Sequence, residues 1–278
     1  MSKSNLVSYQ TTKTTLLYLH SGCPSQYNNG SNKSSVVFFF KDGLKVDKST
    51  IEMRVSVKDA IIPISFYQIN ATNNKLTITV SGVPTTYYSP YGNYSVTSFI
   101  AQWATTVGAA WVVTFNSISN QFTFSYTSNF TISDDTNSLF PVIGFATGSQ
   151  YSSIARTLTA PYPVNFSGLN RLIISSPSFN TENISCYAEG YNRSLASVPV
   201  NNTNSSVIYY SNVTNHRNTF YQHNVNQVQI DIYDDFQNLV NFNNIDWSMT
   251  LQIDTVSESI KDLGTLKEVY ENEIIGEF

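Results

Sequence analysis

Residues 226–254 read NQVQIDIYDDFQNLVNFNNIDWSMTLQID. Val228, Ile230 and Ile232 alternate with Gln229, Asp231 and Tyr233. A polar break follows at Asp234, Asp235, Gln237 and Asn238. Trp247, Met249, Leu251 and Ile253 then alternate with Ser248, Thr250, Gln252 and Asp254. A period of two predicts two strands around a turn, each with one face in a core and the other in water or against a partner.

Working back from this stretch, strand patterns recur at roughly ten-residue steps. They are expected at Leu172–Ser175, Asn183–Tyr187, Leu195–Val200 and Val207–Tyr210. Gly168, Pro177, Gly190, Pro199 and Asn-rich turns separate them. Near the start, the apolar run Val36–Phe40 reads as a buried strand and Asp42-Gly43 as a turn. Ile51, Met53, Val55 and Val57 alternate as a half-buried strand. Pro63 argues against a central ladder position for Ala60–Phe66. Many short strands without alternating helices predict an all-β antiparallel sandwich.

Residues 67–165 interrupt the series and read as an inserted region with its own plan. Asn73-Asn74 predicts a hairpin between Phe66–Ile69 and Leu76–Val80. Phe99, Ile100, Trp103 and Val107 fall at helical spacing, so Val96–Val107 is the expected helix, capped by Ser95 or Thr97. A second hairpin is expected around Ser119-Asn120, from Trp111–Phe115 and Gln121–Tyr126. Leu139–Gly144 leads into a Gly/Ser-rich loop. Residues 1–35 read as an N-terminal arm anchored at Leu16–Leu19. Residues 255–278 read as a charged, mildly helical tail, with Ile260, Leu263, Leu266, Val269 and Tyr270 at near-helical spacing.

The 278 residues suffice for one large β domain or two small ones. Hydrophobic content of 41% supports a core, while charged content of 12% is half the usual quarter. Ser, Thr and Asn fill the difference and give a hydrogen-bonding surface with little long-range field. A net charge of -4 argues against a general nucleic-acid binder. No apolar run reaches the eighteen residues of a membrane span, and the N-terminal residues lack the apolar stretch of a signal peptide. Synthesis in a reducing compartment is therefore expected, with Cys23 and Cys186 as free thiols. The eleven Asn-X-Ser/Thr triplets are read as composition, not glycosylation.

Catalytic and metal signals are weak. His20, His216 and His223 show no zinc-type spacing with a second His or Cys. There is no nucleophile elbow or phosphate loop, since Gly144 and Gly148 lack the following Lys-Ser/Thr. Adjacent Asp134-Asp135 and Asp234-Asp235 point apart, and the latter pair reads as turn chemistry. The reading is non-enzymatic, with no catalytic residue, metal or cofactor. Tyr87, Tyr88, Tyr91 and Tyr94 cluster in a Pro/Gly-containing loop and are the candidate glycan or receptor contact. The bland alternative is that they fill strand and interface positions.

Three sets of residues resemble the minor capsid, or penton, proteins of virophages and polinton-like viruses, with relatives in giant double-stranded DNA viruses. The first is Ile64-Ser65-Phe66-Tyr67-Gln68-Ile69-Asn70 with Asn73-Asn74. The second is Gly92-Asn93-Tyr94-Ser95 leading into a helix, with Ile143-Gly144-Phe145 later. The third runs from Asn170-Arg171-Leu172-Ile173-Ile174 through Leu195–Val200 to Asp246-Trp247-Ser248-Met249-Thr250-Leu251. Each is short, so specificity comes from their order over residues 60–254. Gln68 stands where the family usually has Asn. The resemblance implies a single jelly roll, 36–254, with the insertion as an outer region and extended terminal arms. It implies a homopentamer at the icosahedral fivefold vertex, located in the virion beside the major capsid protein. Two jelly rolls would need a longer chain. The runners-up are a carbohydrate-binding β module and a hydrolase on a sandwich scaffold.

Overall fold

Trp247, Met249, Leu251 and Ile253 are all buried, as their alternation predicts. The computed structural model describes residues 6–179, 183–184, 191–201, 203, 205–220 and 224–262. In chain order its strands are β1 (Leu6–His20), β2 (Gln26–Tyr27), β3 (Ser35–Lys45), β4 (Thr50–Pro63), β5 (Lys75–Val80) and β6 (Val83–Tyr88). After helix α1 (Val96–Val107) come β7 (Val112–Asn116), β8 (Gln121–Ser125) and β9 (Phe130–Ser133). After α2 (Phe140–Ile143) come β10 (Gln150–Ser152), β11 (Thr157–Thr159), β12 (Arg171–Ser175), β13 (Asn183–Ile184), β14 (Tyr191–Asn192) and β15 (Ser194–Pro199). The last are β16 (Val207–Ser211), β17 (Asn218–Phe220), β18 (Asn224–Tyr233) and β19 (Ser248–Asp262). The chain divides into two compact units: Met1–Ser65 with Arg171–Phe278, and Phe66–Asn170.

The first unit is a two-sheet sandwich. One sheet has the order β1-β19-β4-β16, with β17 also on β4; the other is β15-β12-β18-β3-β2. Leaving aside the short β2, β13, β14 and β17, the strands β1, β3, β4, β12, β15, β16, β18 and β19 alternate between the sheets in the order of a jelly roll, except that β12 and β15 are neighbours in one sheet. The fold is therefore all-β, a single jelly roll whose chain leaves after β4 and returns at β12. Contrary to the expectation from Pro63, Ala60 and Ile61 hold a central position, paired with both β19 and β16; Pro63 is the last residue of β4 and lies beyond the register with β19.

The inner faces are aliphatic. Val55 and Val57 on β4, Leu172 and Ile174 on β12, Val228, Ile230 and Ile232 on β18, and Leu251 and Ile253 on β19 are all buried. Phe38 on β3 meets Trp247 edge-on at 6.5 Å between ring centres, joining the two sheets. A polar knot holds that end. The Trp247 indole N–H donates to the Lys33 carbonyl at 2.7 Å, and its backbone N–H donates to Ser21 Oγ at 2.9 Å. Ser21 Oγ donates to Asp246 Oδ1 at 3.0 Å, and Lys33 Nζ reaches the same oxygen at 2.6 Å. The Lys33 ammonium holds the Asp246 carboxyl below the usual carboxylate range against the opposing effect of burial. The Asp246-Trp247 pair thus ties three chain segments together.

The strands β18 and β19 flank a turn, as expected, and lie in opposite sheets. Asp234 does make the turn, accepting from the backbone of Phe236 and Asn238 at 2.8 Å each. The chain then crosses the sandwich by way of buried Val240 and Phe242. Residues 6–20 are not an arm: β1 pairs with β19 over an unbroken register from Leu6↔Asp262 to His20↔Ser248. Ser8–Thr14 are exposed, so no apolar alternation marks this strand, and its partner is the far end of the chain. Residues 255–262 continue β19 and are not helical; residues 263–278 lie outside the described residues. Asp42-Gly43 is a bulge within β3, where the register on β18 shifts from Leu44↔Val225 to Phe39↔Gln227 and Gly43 takes φ +59°.

The second unit has a four-stranded sheet, β10-β9-β5-β6, and a three-stranded sheet, β11-β8-β7. Helix α1 begins at Ser95, whose Oγ accepts from the Ser98 N–H in a capping box. It buries Phe99 and Trp103 in an aromatic core. Phe99 stacks on Phe122 at 5.4 Å, and Trp103 meets Phe124 edge-on at 5.1 Å. The hairpin β7–β8 turns at Ser119-Asn120, as expected. The first expected hairpin does not form. Phe66–Ile69 is not a strand, and β5 pairs instead with β6 across Ser81-Gly82. Asn73 Oδ1 accepts the Asn70 N–H at 2.8 Å, so Asn73-Asn74 shapes a loop rather than a two-residue turn.

Candidate functional site

The four tyrosines separate into two pairs. Tyr88 and Tyr91 are 58% and 55% exposed. Lys75, opposite Tyr88 in the β5–β6 ladder, places Nζ 6.0 Å from that ring's centre. Tyr87 and Tyr94 pack partly buried against the aromatic core. The Tyr94 hydroxyl donates to the Pro90 carbonyl at 2.8 Å, and burial raises its pKa. Tyr88 and Tyr91 therefore present rings to solvent, while Tyr87 and Tyr94 hold the loop in place.

Gln68 organises the base of this loop, a role that sequence reading missed. Its Oε1 accepts the Tyr94 N–H at 2.8 Å, and its Nε2 donates to the Phe166 carbonyl at 2.5 Å. The Gln68 N–H donates to Asn93 Oδ1 at 2.8 Å, and Ile69 and Gly92 exchange backbone hydrogen bonds at 3.0 Å. A Cβ on Gly168 would lie 2.9 Å from Gln68 Cγ, so glycine lets the returning chain pass. The stretches around Gln68 and Gly92–Ser95, which carry the family resemblance, are thus hydrogen-bonded to each other. The longer side chain of Gln68 spans to two backbone groups at once.

The sheet bearing β1 and β19 carries a charge network. Asp254 is 1% exposed. It accepts from Thr14 Oγ1 at 2.6 Å and from Gln252 Nε2 at 3.1 Å, and pairs with Arg217 at 2.5 Å. Beside it, Arg54 donates to both Glu52 oxygens at 2.8 and 2.7 Å, and Thr219 Oγ1 donates to Glu52 at 3.0 Å. The Arg54 hydrogen bond holds the Glu52 carboxyl below its ordinary value, and Glu52 raises Arg54 in return. Both carboxylates are bound by arginine, so this chemistry fixes strands rather than moving protons. The contributing segments are too far apart in sequence for spacing to reveal the network.

The remaining ionisable residues are dispersed. His20 Nδ1 accepts the Gly22 N–H at 3.0 Å, and the His216 backbone is held by Asn212. Among the described residues no group of three or more His, Cys, Asp or Glu is placed to hold a metal. Asp235 pairs with Arg171 at 3.3 Å, and Asp134 accepts from the Gly148 N–H. Cys23 is an exposed free thiol; Cys186 and His223 lie outside the described residues. No helix among the described residues is long and apolar enough to cross a membrane.

Fold and surface together define a single jelly roll interrupted by a second unit of two sheets and two helices. The chain is similar in structure to the mavirus penton protein, at 14% identity and a TM-score of 0.44 over 87% of this chain and 99% of that one. It is also similar to the D2-D3 domains of the Escherichia coli flagellar cap protein FliD, at 12% identity and a TM-score of 0.23 over 82% of this chain and 100% of that one. No family model and no curated protein matches the sequence.

Proposed function

We propose that this chain is a viral structural protein, a minor capsid or penton subunit that assembles as a homopentamer at fivefold vertices beside the major capsid protein. The observation that carries the reading is the single jelly roll with an insertion after its third principal strand. The sequence elements resembling the penton family lie at joints of that architecture: Gln68 with Gly92–Ser95 at the base of the insertion, and Asp246-Trp247 at the entry to β19. A low-charge surface rich in hydroxyl and amide groups suits broad polar subunit contacts. The carboxylates bound by arginine fit a role that is structural and non-enzymatic. Solution mass by light scattering tests this: a species of five chains is expected, and a strict monomer at all concentrations overturns it.

A glycan-binding or host-contact role for the second unit is the alternative, favoured by the exposed rings of Tyr88 and Tyr91 beside Lys75. Tyr88→Ala with Tyr91→Ala should abolish retention on a glycan array while leaving the solution mass unchanged. Unchanged retention, or none by the wild type, overturns that reading.

A further inference from the structure

The edges of the sheets are treated unequally. The edge strands β2, β10, β11 and β17 have two or three residues, and β7 and β16 have five. β15 ends in Pro199, and β6 carries Pro84. Shortness and proline are the usual means of keeping an edge from pairing with another chain. β1 has neither. It is a 15-residue edge with no Gly, no Pro and one charged side chain, Lys13, aligned without a bulge. At about 3.3 Å per residue it spans about 50 Å.

The opposite edge of the same sheet has a matching direction. β1, β19, β4 and β16 are each antiparallel to the next, so β1 and β16 run in opposite senses. Rotation about an axis parallel to the strands preserves strand direction. It therefore brings β1 of one copy antiparallel to β16 of the next. The levels also match. Tyr18 lies in the row Tyr18–Thr250–Asp59–Ser211, and Tyr209 in the row His20–Ser248–Ile61–Tyr209. Lys13 and Thr15 lie level with Phe220 and Asn218 of β17. Tyr18 and Tyr209 thus stand on one face, at opposite edges, one pleat apart, and are 77% and 78% exposed. Cross-strand aromatic pairs are among the stronger sheet contacts.

We infer that copies of this chain join edge to edge, with β1 of one lying antiparallel against β16 and β17 of the next. The occupant of the β1 edge is a second copy, and Tyr18 of one packs beside Tyr209 of its neighbour. This rests on the ring-forming reading above and specifies its contact.

The test pairs Tyr18→Cys with Ser211→Cys, which share a row, in full-length protein carrying Cys23→Ser and Cys186→Ser. Within one chain two strands separate these positions, roughly 14 Å at strand spacing, too far for a disulfide. Any disulfide is therefore between chains. The expected result is a ladder of cross-linked species on a non-reducing gel from the double variant, and none from either single variant. A five-chain species that gives no ladder overturns this contact and leaves the ring reading standing. Dimers from Tyr18→Cys alone, which would show β1 paired with β1, overturn it as well. A strict monomer overturns both. As a second readout, Tyr18→Glu should raise the concentration for assembly about tenfold, and adding Tyr209→Lys should restore it. Absence of both effects counts against the contact.

Discussion

The two units build their sheets by opposite routes. The jelly roll is closed by the ends of the chain, with β1 on β19 and Trp247 held by Lys33 and Ser21. Its core is mainly aliphatic, and its decisive contacts join residues more than two hundred positions apart. The unit Phe66–Asn170 is built from one continuous stretch around an aromatic core, with a hairpin, a capped helix and short strands. Local contacts form at small entropic cost and long-range pairing at large cost. The jelly roll should therefore depend on its termini, and the inserted unit should not.

The largest expected effect follows directly. Removing residues 1–20 strips β1 from β19 and takes Leu19, a buried core residue, with it. The jelly roll should fail to fold, while the second unit keeps its native signals. Backbone amide spectra of the truncated protein decide the matter: a folded jelly roll without β1 would break the contrast between the units.

Trp247→Ala should come next. Truncating a buried aromatic costs about 3–5 kcal/mol, and here the Lys33 carbonyl also loses its donor. Denaturant unfolding followed by hydrogen exchange should show the loss confined to residues 6–65 and 171–262. An unchanged midpoint would remove Trp247 from the core of the argument. Gly144→Ala is the smaller counterpart in the second unit. Gly144 has φ +88°, and a Cβ there would lie 2.2 Å from the Tyr162 carbonyl oxygen. Forcing a non-glycine residue into this region costs about 1–3 kcal/mol before the clash is counted. The midpoint of the second unit should fall, with that of the jelly roll unaffected.

Sequence legibility followed the same division. Helix α1 was readable to the residue because Phe99 and Trp103 mark its face and Ser95 its start. The buried faces of β18 and β19 were readable because their alternating apolar residues are all buried; on β4 Met53, Val55 and Val57 follow the alternation, but Ile51 is exposed and Ser56 is buried. The strand β1 was not, because Ser8–Thr14 meet solvent and their pairing is set by residues at the other end of the chain. The crossing between β18 and β19 was also hidden: Asp234 shapes a tight turn whether or not the flanking strands pair. Of the candidate contact, only the tyrosine cluster was legible. The Gln68 joint and the Asp254 network draw on residues too distant for spacing to reveal.

The smallest expected effect is acid sensitivity, and it lies in the jelly roll. Lys33 favours the ionised form of Asp246, and Arg54 favours that of Glu52, so both folded-state pKa values lie below the ordinary ones. For a lowered carboxyl, the unfolded chain takes up protons first as pH falls. The stabilisation is therefore complete above the ordinary carboxylate values, near 4, and is lost as pH drops through the folded-state values. The Asp246 side chain is 37% exposed, so solvent screening keeps its share to about 1 kcal/mol or less. The difference in melting temperature between wild type and Asp246→Asn should be greatest at neutral pH and shrink toward pH 3. A difference that stays constant over that range would mean that the charge of Asp246, and with it the Lys33 pair, does not carry the effect.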